Sequence, residues 1–162
     1  MGRSHAERPA GSVGLKPPPG ATTDVTGARL PPSIGALADV GYAILVGVPY
    51  LLVPDTRAGA LATYYGFGPI DPPVLALFAL VGAIAFVGGR SERTDPPTAA
   101  GAALVAGVAV LAFTLLWALA VDVSTLAAVP GDWIDWHRWA VLVLAAIPAM
   151  AAAWYTRALG LF

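Results

Sequence analysis

The chain has 162 residues, 57% of them hydrophobic and 12% charged, with a mean hydropathy of +0.72. That balance excludes an ordinary soluble globular domain and belongs to a chain that lives in a bilayer. A net charge of -1 gives no basic surface for nucleic acid, and the absence of cysteine excludes disulfides, thiolate metal sites and thiol catalysis.

Residues 1–32, MGRSHAERPAGSVGLKPPPGATTDVTGARLPP, contain six prolines and no apolar period, so the expectation is a disordered tail. A basic stretch followed by an apolar run, with Ala58-Gly59-Ala60 beyond, raises the question of a cleaved signal. The run is long enough to span, and more than thirty residues precede it, so it reads as a retained first helix.

Residues 33–162 form the second unit, with four apolar runs at about 34–54, 73–89, 99–121 and 133–158. A hydrocarbon core about 30 Å thick needs roughly 20 helical residues, so each run can cross once. The fold class expected is an all-α bundle of four transmembrane helices. Pro31-Pro32, Asp71-Pro72-Pro73, Asp95-Pro96-Pro97 and Pro130-Gly131-Asp132 punctuate the helix starts. Proline is tolerated in the first turn because its missing amide has no acceptor there, and an aspartate just before it can cap free amides. Asp71, Asp95 and Asp132 are therefore read as N-caps.

In the first span, Asp39 is the only acid well inside an apolar run. A central charge costs about 2.5–3.5 kcal/mol on an insertion scale, so Asp39 is a candidate proton or ion site, with Tyr42 or Thr114 as its partner. Its distance from Ser33, six residues at about 1.5 Å each, leaves a boundary position open as well. Pro49 and Pro148 lie inside the first and fourth spans, where each removes a helical hydrogen bond. Between the first two spans, the run Tyr64-Tyr65-Gly66-Phe67-Gly68-Pro69 reads as a loop whose rings lie on the membrane surface or cover the mouth of the bundle. Ala99, Ala103 and Gly107 on the third span, and Ala145, Ala149 and Ala153 on the fourth, recur every four residues and allow those two helices to pack closely.

The densest polar stretch is GDWIDWHRW, residues 131–139. At about 100° per residue Trp133, Trp136 and Trp139 share an arc of about 120°, which is the pattern of an aromatic belt at headgroup depth. Trp117 is expected in the same belt and Trp154 in one at the opposite face. Asp122, Asp135, His137 and Arg138 make a possible outer polar group, but their irregular spacing is not a metal-ligand motif, and no metal is expected. No GxxxxGKS, HExxH, GxSxG or paired-histidine haem pattern occurs, so no cofactor is expected either.

Orientation follows from the basic residues. Arg3, Arg8, Lys16, Arg29, Arg90, Arg93 and Arg157 fall on one side, and only Arg57 and Arg138 on the other. That asymmetry places both termini in the cytoplasm of a multi-pass cell-membrane protein. No repeat relates the two hairpins, so the inverted-repeat signature of many transporters is missing.

The runs YYGFGPIDPP and GRSERTDPPTAAG, with the late WHRW, resemble small four-helix membrane proteins of halophilic archaea that form families of unknown function. The resemblance covers about residues 35–160 and implies the fold and the source, with no activity attached. The expected function is a non-catalytic accessory or structural component, packed in the bilayer against itself or a membrane-protein partner. The first alternative is a small carrier or channel using Asp39. The second is a membrane enzyme or metal site at Asp122, Asp135, His137 and Arg138.

Overall fold

The structure, a computed structural model, describes residues 23–91, 93–122, 124, 127, 129 and 131–161. Among them all regular structure is helical. α1 (Thr23–Leu52) leads through a 3₁₀ turn (Asp55–Arg57) into a short α2 (Ala58–Tyr65). The long helices α3 (Pro72–Arg90), α4 (Pro96–Ala120) and α5 (Trp133–Ala158) follow. Four segments are long and apolar enough to cross a membrane: Leu30–Leu52, Pro72–Arg90, Pro96–Ala120 and Trp133–Ala158. The protein is thus a multi-pass membrane protein by length and composition, and the four expected spans match these within a few residues.

Two boundaries differ from expectation. Part of the tail assigned to residues 1–32 is helical, because α1 begins at Thr23 and Pro31 and Pro32 sit inside it. Proline's fixed φ fits a helix, but the pair forgoes the bonds to the carbonyls of Gly27 and Ala28 and crowds those carbonyls with its rings. The remaining tail, residues 1–22, lies outside the described residues. The second difference is α2, expected as loop, whose YY pair ends a two-turn helix closed by the Gly66 amide on the carbonyls of Ala62 and Thr63.

α1 packs against α3 and α5, and α4 packs against the same two helices, so the four spans close into a ring. The seams follow from residue size. Along α1–α3, Gly35 faces the Phe86 ring and Asp39 faces Gly82, an antiparallel register in which a small residue receives a larger one at each step. Along α4–α5, a Cβ on Gly107 would stand 3.1 Å from the backbone of Ala149, so the two helices touch there with no side chain between them. The expected α4 ladder of Ala99, Ala103 and Gly107 is buried throughout, whereas on α5 Ala145 and Ala149 are buried and Ala153 is exposed. The expected ladder therefore ends early, and Ala152, fully buried, takes the next inward place.

The interior divides into two apolar clusters. One gathers Tyr42, Val46, Tyr64, Tyr65, Leu75, Trp117, Ile134 and Val141 toward α2. The other gathers Phe86, Ala100, Ala103, Ala151, Ala152 and Tyr155 toward the α3–α4 turn. Across the middle, the Tyr42 hydroxyl shares a 2.8 Å hydrogen bond with Thr114, joining the diagonal pair α1 and α4. Leu37, Leu51, Ile84, Val105 and Val143 stand outward, the apolar surface that a bilayer would cover.

Candidate functional site

The most polar constellation is built around Pro49. In a helix the carbonyl of Leu45 accepts from the amide of residue 49, and proline has none, so α1 leaves an acceptor without its donor. His137 of α5 supplies one: its Nε2 lies 3.0 Å from the Leu45 carbonyl oxygen. A carbonyl only accepts, so Nε2 carries the hydrogen, and in the neutral ring Nδ1 accepts. The Tyr64 hydroxyl donates to that Nδ1 at 2.9 Å. The next carbonyl of α1, that of Val46, receives the Tyr65 hydroxyl at 2.6 Å. Trp117 closes the group from α4, donating its indole N–H to the Tyr64 carbonyl at 3.1 Å.

Ring packing holds these bonds in place. Tyr64 meets Trp117 edge-on at 5.2 Å, Tyr65 stacks on both Trp117 and Tyr50, and Trp133 meets the His137 ring edge-on at 5.8 Å. Such pairs add about 0.5–1.5 kcal/mol each beyond the area they bury. Burial pushes the Tyr64 hydroxyl well above its ordinary range, with Arg138 offsetting part of the rise. Burial does the same to Tyr65, reinforced by the neighbouring tyrosines. Both therefore stay protonated and donate.

The outer polar group of the sequence reading does not assemble. His137 turns into the bundle and is buried, while Asp122 and Asp135 are exposed. Asp122 accepts from the Ser124 amide at 2.8 Å, and this bond, with one to the Ser124 hydroxyl, holds its carboxyl below the usual range. Arg138 donates through one guanidinium nitrogen to the Val121 carbonyl at the end of α4 and lies 5.0 Å from the centre of the Trp139 ring. Its place is to tie α4 to α5. Among the described residues no group of three or more His, Cys, Asp or Glu could hold a metal ion.

The aromatic belt is partly corrected. Trp136 is 77% exposed, Trp139 and Trp154 are exposed, and Trp133 is half-buried. Trp117 is fully buried and belongs to the interior, because α2 folds over it and offers its indole a carbonyl. The loop aromatics Tyr64 and Tyr65 likewise cover the mouth of the bundle from inside. Of the expected N-caps only Asp95 makes the cap bond, from Thr98. Asp71 and Asp132 precede their helices without one.

Asp39 is 2% exposed, inside the bundle, on the α1–α3 seam. Neither Tyr42 nor Thr114 serves as its partner, since those two bond each other, and its Oδ2 has no hydrogen-bond partner.

The roles of Tyr65 and the Leu45 carbonyl are not announced by their own stretches of sequence. The signal available was Pro49 itself, which marks an orphaned acceptor four residues earlier. What no local pattern carried was the identity of the donor, 92 residues away.

The chain belongs to a family of unknown function, DUF7548, whose model matches residues 25–160. No curated protein and no solved structure matches the chain.

Proposed function

We propose that this protein is a non-catalytic component of the cell membrane, a four-helix scaffold that packs against a second membrane protein or against itself. One observation carries the reading: His137 and Arg138, the α5 side chains best suited to chemistry, are used to join helices. His137 has both ring nitrogens engaged, one on the Leu45 carbonyl and one on the Tyr64 hydroxyl. A histidine so bonded has no lone pair left for a metal and no open nitrogen for proton transfer to a substrate. The test is purification of a tagged copy from its native membrane in mild detergent, with the mass of the particle and its co-purifying proteins determined. A stoichiometric membrane-protein partner is the expected result; a particle containing this chain alone at monomer mass would contradict it.

The same reading puts both termini in the cytoplasm, supported by the excess of arginine and lysine in the tail, the 90–95 connection and the C-terminus. The halophilic archaeal source implied by the motifs also belongs to it. Orientation is open to a labelling test at Thr56, which is exposed beside α2. In Thr56→Cys the new thiol is the only one in the chain, and it should react with an impermeant reagent from the outside; reaction solely from the cytoplasmic side would reverse the topology.

A second reading, a small carrier or channel with Asp39 on its path, is favoured by the burial of that carboxyl at span depth. Flux of protons or monovalent cations into proteoliposomes, lost in Asp39→Asn, would support it; equal flux in both would remove it.

A further inference from the structure

Asp39 is the tenth residue of the span Leu30–Leu52. It therefore lies about 14 Å along the axis from Leu30, closer to the middle of the span than to either end. It belongs to neither apolar cluster and sits where the two meet, between Tyr42 on one side and Phe86 on the other. The neighbouring helix makes room for it: a Cβ on Gly82 would stand 2.8 Å from Oδ2. A carboxylate buried this way needs a cation or several donors.

Neither is at hand. On α1 the nearest titratable group is Tyr42, whose hydroxyl is engaged with Thr114. The spans of α3 and α4 bring no ionisable side chain except Arg90 at the last position of α3, and α5 brings none between Ala140 and Ala153. Arg138 and Arg157 stand near the two ends of α5. Oδ2 is buried with no partner, so the charged form has nothing around it to replace the water it would lose.

We propose that Asp39, set in the notch of Gly82, is a proton-binding site: a carboxylic acid that keeps its proton inside the bundle and exchanges it when the α1–α3 seam loosens. Val40 and Ala83, next to Asp39 and Gly82 in the chain, and Ala36, one turn before Asp39, line an open groove of about 790 Å3 on the outward side of the same seam. Release leaves a carboxylate on Asp39 and delivers H+ to water or a headgroup base; uptake reverses the step, and nothing is oxidised or reduced. The inference uses the carboxyl of the carrier reading but does not require transport, since a proton can be held and exchanged at one face alone.

The experiment is infrared spectroscopy of the full chain in proteoliposomes at about pH 7, where a solvated aspartate is ionised. Wild type should show the C=O band of a protonated carboxylic acid, absent in Asp39→Asn. Identical spectra of wild type and Asp39→Asn in that region would overturn the proposal. Gly82→Ala is the second arm, keeping the carboxyl and pressing a methyl on Oδ2: the band should shift in frequency, and a Gly82→Ala spectrum with no such band would also count against it. The two ideas separate cleanly, because a band without flux keeps the proton site and removes the carrier, whereas flux without a band does the reverse.

Discussion

At the α2 end, α1, α4 and α5 are joined by rings and directed hydrogen bonds, with His137, Tyr65 and Trp117 each reaching a backbone carbonyl of another helix. Toward the α3–α4 turn the helices meet through alanine and glycine around two rings, Phe86 and Tyr155, and at mid-span Gly107 α4 lies on the bare backbone of α5. The polar end is organised around one residue. Pro49 opens the hydrogen-bond ladder of α1 near the α2 end, and a polar acceptor exposed in an apolar interior has to be answered by a donor from elsewhere. Where small residues face each other, as Gly107 faces Ala149 beside Pro148, helices approach until their backbones touch. One end is specified by direction and the other by size.

The largest effect should come from breaking direction. His137→Ala removes the donor to Leu45 and the acceptor for Tyr64 at once, and buried polar groups left unmatched cost about 1–3 kcal/mol each. Unfolding followed in detergent should show a loss of at least about 2 kcal/mol; a loss near zero would mean that water already serves these groups. Breaking size comes next. Gly107→Val places branched carbons against the Ala149 backbone 3.1 Å away, and overpacking of this kind costs about 1–3 kcal/mol. Gly101→Val is the control, since nothing lies within 4 Å of a Cβ at Gly101.

A smaller effect separates the ends by pH. Tyr64 and Tyr65 titrate above their ordinary 10.0 because they are buried. A pKa raised in the folded state stabilises fully below the unfolded value and is lost as pH rises past it. The α2 end, where two such hydroxyls lie together, should therefore lose more protection above about pH 10 than the α3–α4 turn end, where Tyr155 is the buried tyrosine, as read from amide-exchange protection factors. The smallest change is expected at Trp136, 77% exposed. Trp136→Ala should leave detergent stability within about 0.5 kcal/mol, although the rate of membrane insertion can still fall.

The asymmetry also explains what the sequence made legible. Span number, approximate limits and the α4–α5 contact follow from hydropathy and small-residue spacing, which are properties of single segments. Asp39 stood out as the one acid inside an apolar run, and it is buried there. The role of His137 was hidden for a different reason. Read along α5 it stands beside aspartates, an arginine and tryptophans, which gives it the look of a surface ligand, but its partners lie on α1 and α2. Trp117 was misplaced in the same way, since a tryptophan near a span end fits a headgroup belt unless a folded loop covers it, and α2 is too short to announce itself in the pattern. Elements fixed by their own composition were readable; those fixed by a distant orphaned carbonyl were not.

The most direct measurement is a double-mutant cycle between Pro49 and His137. Pro49→Ala returns to α1 the amide that the Leu45 carbonyl lacks, so His137 should matter less once it is present. The cost of His137→Ala is expected to fall by about 1 kcal/mol or more in the Pro49→Ala background, a coupling typical of groups that share a partner. If the two changes add within about 0.3–0.5 kcal/mol, His137 is not answering the proline, and its burial beside Tyr64 would need another explanation.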